Sequence, residues 1–267
     1  MVIRWSRVVA SLLAAAATGA VTGAAWASDE RAVQPVWAPP AACPISADHV
    51  IANGGLQRSR AAIADRRLVI LAVGSSSIEG VGASRPDLGF VPRLDAALKR
   101  RLPEVGVVVY NRGIGGETAE DTVKRLPREL ELTQPDLVLW QLGTNDVLRD
   151  RDPGAFLRDL LWGDYLLARA GVDTLLIDPQ RLPDDARNPA FAGRNPALEQ
   201  TASVIEAQAA LANRAVLRRF AAMRDWSGLA GGGVGPDELH LNDEGYACWA
   251  EITAEGLARA ILDASNP

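Results

Sequence analysis

Five short apolar runs, separated by longer stretches that place leucines at helical intervals, set the rhythm of the chain. The runs Leu68 to Val73, Val105 to Tyr110, Asp136 to Leu142, Thr174 to Asp178 and Ala215 to Phe220 are mostly leucine or β-branched. Continuous apolar runs of this length fit strands covered on both faces, as in a parallel sheet. Between them the spacing predicts helices over Asp87 to Leu102, Ala119 to Leu132, Pro153 to Ala170, Pro196 to Asn213 and Asp243 to Leu262. Pro103 and Pro135 stop the first two, because proline cannot continue a helix, and Asn242 is a candidate cap for the last. Strand and helix in alternation predict an α/β fold, with a parallel sheet between two helical layers.

Ahead of this pattern, Arg4 and Arg7, the apolar run Val8 to Ala17 and the small-x-small triplet Ala25-Trp26-Ala27 read as an export signal over residues 1–27. The competing reading is an uncleaved anchor, since residues 8–27 carry no charge. Residues 28–60, with the alanine- and proline-rich stretch Ala32 to Pro44, read as an extended lead-in, and residues 61–267 as a single domain. His49 falls in the lead-in and reads as an exposed bystander.

Loss of Arg4 and Arg7 with the signal would move the net charge from -5 to -7, which argues against nucleic acid as a partner. Contact with a membrane is expected only if residues 1–27 stay attached. The two cysteines, Cys43 and Cys248, permit one disulfide in an exported chain, and neither has the spacing of a metal site. The expected location is the periplasm or the exterior.

Candidate chemistry gathers where the runs end. Gly74-Ser75-Ser76-Ser77-Ile78-Glu79-Gly80 follows the first strand, Asn111 to Thr118 the second, and Gly143-Thr144-Asn145-Asp146 the third. In an open α/β sheet these positions share one edge, where ligands bind. Near the C-terminus, Asp237-Glu238-Leu239-His240 puts a carboxylate three residues before an imidazole, the pair a serine nucleophile needs as orienter and base. Gly116 has no Cβ to keep its N–H from a substrate, and Asn145 offers an uncharged amide. Each block has a plainer meaning alone: a turn for the serines, a cap for Asp-x-x-His, a strand-closing turn for Gly-Thr-Asn-Asp. A nucleotide loop is argued against, because G-x-G-x-x-G fails at Thr118 and no Gly-Lys-Ser/Thr occurs. Trp140, Trp162, Trp226 and Trp249 read as packing groups rather than a sugar platform.

Taken together and in order, the four blocks resemble the SGNH/GDSL hydrolases, a family of esterases and lipases, over residues 68–262. The resemblance implies a three-layer α/β/α sandwich with a central parallel five-stranded sheet, flavodoxin-like, and no cofactor. It implies Ser76 as nucleophile, His240 as base, Asp237 as its orienter, and an oxyanion hole made by Ser76, Gly116 and Asn145. Ser75 stands where the family name has aspartate, which leaves Ser75 and Ser77 as rivals to Ser76. The substrate it implies is a small-molecule carboxylic ester or thioester, or an acylated carbohydrate or lipid. An O-acyltransferase using the same residues and a catalytically silent envelope-binding domain are the other classes. The long loops Pro179 to Asn195 and Ser227 to Pro236 are candidate walls of the site.

Overall fold

The computed structural model describes residues 43–263 apart from residue 45, so the expected signal and the lead-in through residue 42 lie outside the described residues. Along the chain the elements are β1 (Val50–Ile51), α1 (Gln57–Ala64), β2 (Arg67–Gly74), α2 (Ser76–Glu79), α3 (Phe90–Arg101), β3 (Gly106–Gly113), α4 (Ala119–Thr133) and β4 (Leu137–Gln141). They continue through α5 (Thr144–Leu148), α6 (Pro153–Ala170), β5 (Asp173–Ile177), α7 (Asn195–Leu211), β6 (Ala215–Leu217), α8 (Arg219–Ala222) and α9 (Asp243–Leu262). The last long helix opens as expected: the Asn242 side chain accepts the Gly245 N–H at 2.9 Å.

Side chains along the strands alternate between two cores because the pleat sends successive residues to opposite faces. Leu68, Ile70 and Ala72 of β2 face one cluster together with α3 and α9. Leu71 and Val73 face another, with side chains of α4, α6 and α7. Trp140, in the second cluster, is fully buried, and a Cβ on Gly163 of α6 would lie 2.2 Å from its ring. Glycine inside a helix costs about 1 kcal/mol relative to alanine, and here it makes room for an indole whose burial contributes more than that.

The sheet has six strands in the order β1-β6-β5-β4-β2-β3. β2 pairs in parallel with both β3 and β4, with Val73 opposite Arg112 on one side and Trp140 on the other. The winding direction therefore reverses at β2, and the crevice between the ends of β2 and β4 is the switch point of a flavodoxin-like sheet.

Four expectations are corrected. The sheet carries a sixth strand: Val50 and Ile51 pair antiparallel with Leu217 and Val216. The second half of the lead-in is consequently not extended and loose, since residues 47–49 form a 3₁₀ turn and α1 begins at Gln57. His49 lies part-buried there, its carbonyl accepting the Arg218 N–H at 2.8 Å. Ala215 to Phe220 also divides, the strand stopping at Leu217 before α8. Among the described residues no helix is long and apolar enough to cross a membrane.

A disulfide joins Cys43 to Cys248 in α9, 205 residues apart, and pins the start of the described chain to the helix that covers one core. Closing so long a loop removes unfolded-chain entropy, and Cys43→Ser is expected to lower unfolding free energy by about 2–4 kcal/mol in a denaturant titration. Alkylation without reductant should leave the intact mass of the wild-type chain unchanged.

Candidate active site

Among the three clustered serines, geometry separates the hydroxyls. Ser75 donates its N–H and its hydroxyl to Gln141 Oε1 at 3.1 and 2.9 Å, so the residue standing in the family's aspartate position straps the loop to β4. Ser77 turns inward and donates to Gln180 Oε1 at 3.2 Å. Only the Ser76 hydroxyl meets the imidazole, lying 3.0 Å from His240 Nε2. The strand can end this way because Gly74 has φ +143° and a Cβ there would sit 2.6 Å from the Gln141 carbonyl oxygen. Ser76 then opens α2, whose second residue, Ser77, is already buried.

Asp237 uses both carboxylate oxygens. Oδ1 accepts the N–H groups of Leu239 and His240 at 3.1 and 2.9 Å, and Oδ2 lies 2.6 Å from His240 Nδ1. Burial pushes the carboxyl up, but the bond to the His240 ring and the two backbone N–H bonds outweigh it and hold the group below its ordinary value. An ionised acceptor on Nδ1 places that ring proton there and leaves Nε2 as an acceptor toward Ser76.

The turn is held from several sides. Glu238 takes φ +62°, and its carboxylate accepts the N–H groups of Arg187 and Asn188 at 3.0 and 2.8 Å. The glycine-rich loop pairs with the backbone that follows: Gly235 N–H donates to His240 O at 2.7 Å and Asn242 N–H to Gly233 O at 3.0 Å. A Cβ on Gly82 would stand 2.7 Å from His240 Cβ, so that glycine lets the loop after Ser76 pass beneath His240. Both long loops expected as walls thus contact this turn.

The expected oxyanion donors share the same edge. Asn145 gives one amide hydrogen to Glu117 O at 2.8 Å, which keeps its second for another acceptor and ties it to the residue after Gly116. Glu117 is itself clamped, its carboxylate accepting both Nε and Nη2 of Arg125 at 2.6 Å. Gly116 has φ +79°, and a Cβ there would meet an Arg149 nitrogen at 2.9 Å. Among the described residues the N–H groups of Ser76 and Gly116 are taken by no other group.

Sequence reasoning missed the glutamines and the arginine behind the site. Gln141, Gln180, Asp178 and Arg219 are all buried at the carboxyl edge of the sheet. The signal was available in part, since a glutamine closing an apolar strand has to find partners. Arg219 stacks over the Trp249 ring at 4.1 Å, and burial pushes its guanidinium down to about 10. Asp178 Oδ1 accepts the Phe220 N–H at 2.8 Å, while burial pushes the carboxyl up to about 8. The tryptophan expectation is corrected at one position: Trp140, Trp226 and Trp249 are buried, whereas Trp162 is 54% exposed and stacks on Tyr165 at 5.1 Å. Among the described residues no group of His, Cys, Asp or Glu is arranged to hold a metal ion.

Fold and site together define a flavodoxin-like α/β/α domain with a Ser-His-Asp line at the carboxyl edge of its sheet. The model of the Non-GDSL lipase-like family matches residues 42–262, and the chain belongs to that family. It is similar to an acetylxylan esterase of Geobacillus stearothermophilus, 33% identical over 85 residues that make up 28% of this chain and 39% of that one. An arylesterase of Vibrio mimicus is 35% identical over 71 residues, 27% of this chain and 36% of the relative. The matched stretches thus span well under half the length of either relative. Among solved structures, TesA superposes with a TM-score of 0.58 at 25% identity, over 72% of this chain and 99% of that one. A two-domain esterase active on acetylated mannans gives 0.64 at 21%, over 84% and 58% respectively, which is a likeness of fold. The SGNH/GDSL resemblance of the four blocks therefore holds.

Asp178 generates a prediction about pH. Its folded pKa is raised, so the neutral carboxyl is the form that suits the fold; its contribution is full below the unfolded value and is lost as pH rises from 3.8 to about 8. Asp178→Asn should flatten that decline, seen as a smaller gap between denaturation midpoints at acidic and mildly alkaline pH. An unchanged gap would assign the decline to other groups.

Proposed function

We propose that the chain is an exported serine hydrolase that cleaves carboxylic esters through an acyl-enzyme on Ser76. One observation carries the reading: an Asp237 carboxylate at 2.6 Å and a Ser76 hydroxyl at 3.0 Å flank the two nitrogens of one imidazole. As the Ser76 oxygen bonds to the ester carbonyl carbon, its proton passes to Nε2, and Asp237 stabilises the imidazolium. The carbonyl oxygen, now negative, is met by the N–H groups of Ser76 and Gly116 and by the second amide hydrogen of Asn145. Collapse breaks the bond to the alcohol, which leaves with the proton from His240. Water, deprotonated by the same nitrogen, then attacks the acyl group and restores the serine.

The first substrate class to test is a short acyl ester of a carbohydrate. The 33% identity to a protein named acetylxylan esterase supports it, as do the charged side chains of Glu79 and Arg149 beside the glycine block. Export rests on the charged, apolar and small-residue order of residues 1–27, and a disulfide suits an oxidising compartment.

Ser76→Ala should abolish hydrolysis of p-nitrophenyl acetate and labelling by a fluorophosphonate while the circular dichroism spectrum is kept; residual turnover at the wild-type rate would reject the nucleophile. Asn145→Ala should lower kcat by about 10²–10³-fold, the effect of removing one oxyanion donor, with KM nearly unchanged. A steady-state titration of both parameters checks it.

A further inference from the structure

Gln180 stands behind the site in contact with three of the four motif blocks. Its side-chain oxygen accepts the Ser77 hydroxyl at 3.2 Å, its side-chain nitrogen donates to the Leu239 carbonyl, and its main-chain N–H donates to Thr144 Oγ1 at 3.4 Å. Ser77 follows Ser76, Leu239 precedes His240, and Thr144 precedes Asn145. One buried side chain therefore links the neighbour of the hydroxyl to the neighbour of the imidazole.

The orientation of this amide is dictated by what surrounds it. Arg219 Nη2 donates to Gln180 Oε1 at 2.5 Å and to Ser77 Oγ at 3.2 Å, so the oxygen must face the guanidinium and the nitrogen the Leu239 carbonyl. Among the described residues these are the hydrogen bonds of the guanidinium, and its Nε and Nη1 have no partner. A fully buried cation with idle donors is a poor device for stability, because its desolvation is repaid only when its N–H groups are satisfied. Its place is nonetheless well defined: the first residue of α8, stacked on the Trp249 ring of α9. Arg219 thus supplies a fixed point, and Gln180 transmits it to the turn.

We propose that Gln180, anchored by Arg219, is a positioning residue that sets the separation between the Ser76 hydroxyl and the His240 ring; the inference rests on reading those two as nucleophile and base. Glutamine is the fitting residue because it accepts at one end and donates at the other. Glutamate keeps the Arg219 contact but turns an acceptor toward the Leu239 carbonyl, and methionine fills the space with neither bond. Glu238, latched to Arg187 and Asn188 of the same loop, holds the outer side of the turn. Gln180 holds its inner side.

The test compares Gln180→Glu and Gln180→Met with the wild-type chain, reading the rate of fluorophosphonate labelling per folded molecule together with kcat and KM for p-nitrophenyl acetate. A displacement of about 1 Å in a reacting group can lower a rate by about 100-fold, so labelling and kcat should fall by about tenfold or more in both variants, with KM within about twofold. Normalising to the folded fraction separates positioning from stability, because a merely structural role lowers that fraction and leaves the rate of each folded molecule unchanged. A fall smaller than this in either variant overturns the brace while leaving the hydrolase reading intact. A wild-type chain that is not labelled at all overturns the reading of Ser76 and the brace with it.

Discussion

The site depends on the carboxylate of Asp237 serving the chain and the imidazole at once. One oxygen closes the turn by accepting the N–H groups of Leu239 and His240, and the other meets the ring. Because the same group shapes the backbone and aims the side chain, the imidazole is oriented by a local bond rather than by the accuracy of distant packing. The arrangement demands an ionised carboxylate, and the N–H and ring bonds that keep it ionised against partial burial are the ones that create the geometry. It also demands a left-handed residue at Glu238, a conformation that L side chains visit reluctantly. The bonds from Arg187 and Asn188 offset that strain from outside.

A well-aimed imidazole is useful only if a hydroxyl arrives opposite it, and that is the work of the sheet. The winding reverses at β2, so the ends of β2 and β4 bound the switch-point crevice of such a sheet. Gly74 lets those two ends approach so closely that a side chain would strike the Gln141 carbonyl. Gln141 then takes Ser75 out of contention and leaves Ser76 at the head of α2. Across the crevice, Asn145 is joined to the glycine block through the Glu117 carbonyl, and Glu117 is clamped by Arg125. Donors and hydroxyl are thereby referred to the same pair of strands.

Much of this was legible beforehand where the physics is local. The apolar runs marked the five parallel strands, although β3, at the sheet edge, leaves Val108 and Tyr110 exposed where cover on both faces was expected, and Pro153 to Ala170 and Asp243 to Leu262 are helices with the expected bounds. The four blocks were found because each sits where a strand or helix begins or ends. What escaped was set by tertiary partners. β1 is only two residues long, too short for any periodicity, and exists because β6 offers it an edge. Trp162 occupies a helical position whose neighbours Leu161 and Tyr165 are also exposed, so composition alone could not tell it from buried Trp140. Ser75, Ser76 and Ser77 could be ranked by spacing, but their separate partners, Gln141, His240 and Gln180, come from three different parts of the chain.

The distribution of polar groups explains why such a site can be tolerated. Two apolar cores cover the faces of the sheet, and each large side chain removed from water contributes about 1.5–3 kcal/mol. At the edge, Asp178 and Arg219 are buried with side-chain atoms that have no partner, and an unsatisfied buried polar group costs about 1–3 kcal/mol. The two magnitudes are comparable per residue, so a handful of costly groups at one edge is offset by a modest part of the apolar interior. A sequence selected for stability alone would replace the Arg219 cluster with hydrocarbon, as buried charges can often be replaced without loss. The cluster touches the neighbours of the hydroxyl, the imidazole and the amide, so its polar bonds are made where the site is and not in the middle of either apolar core.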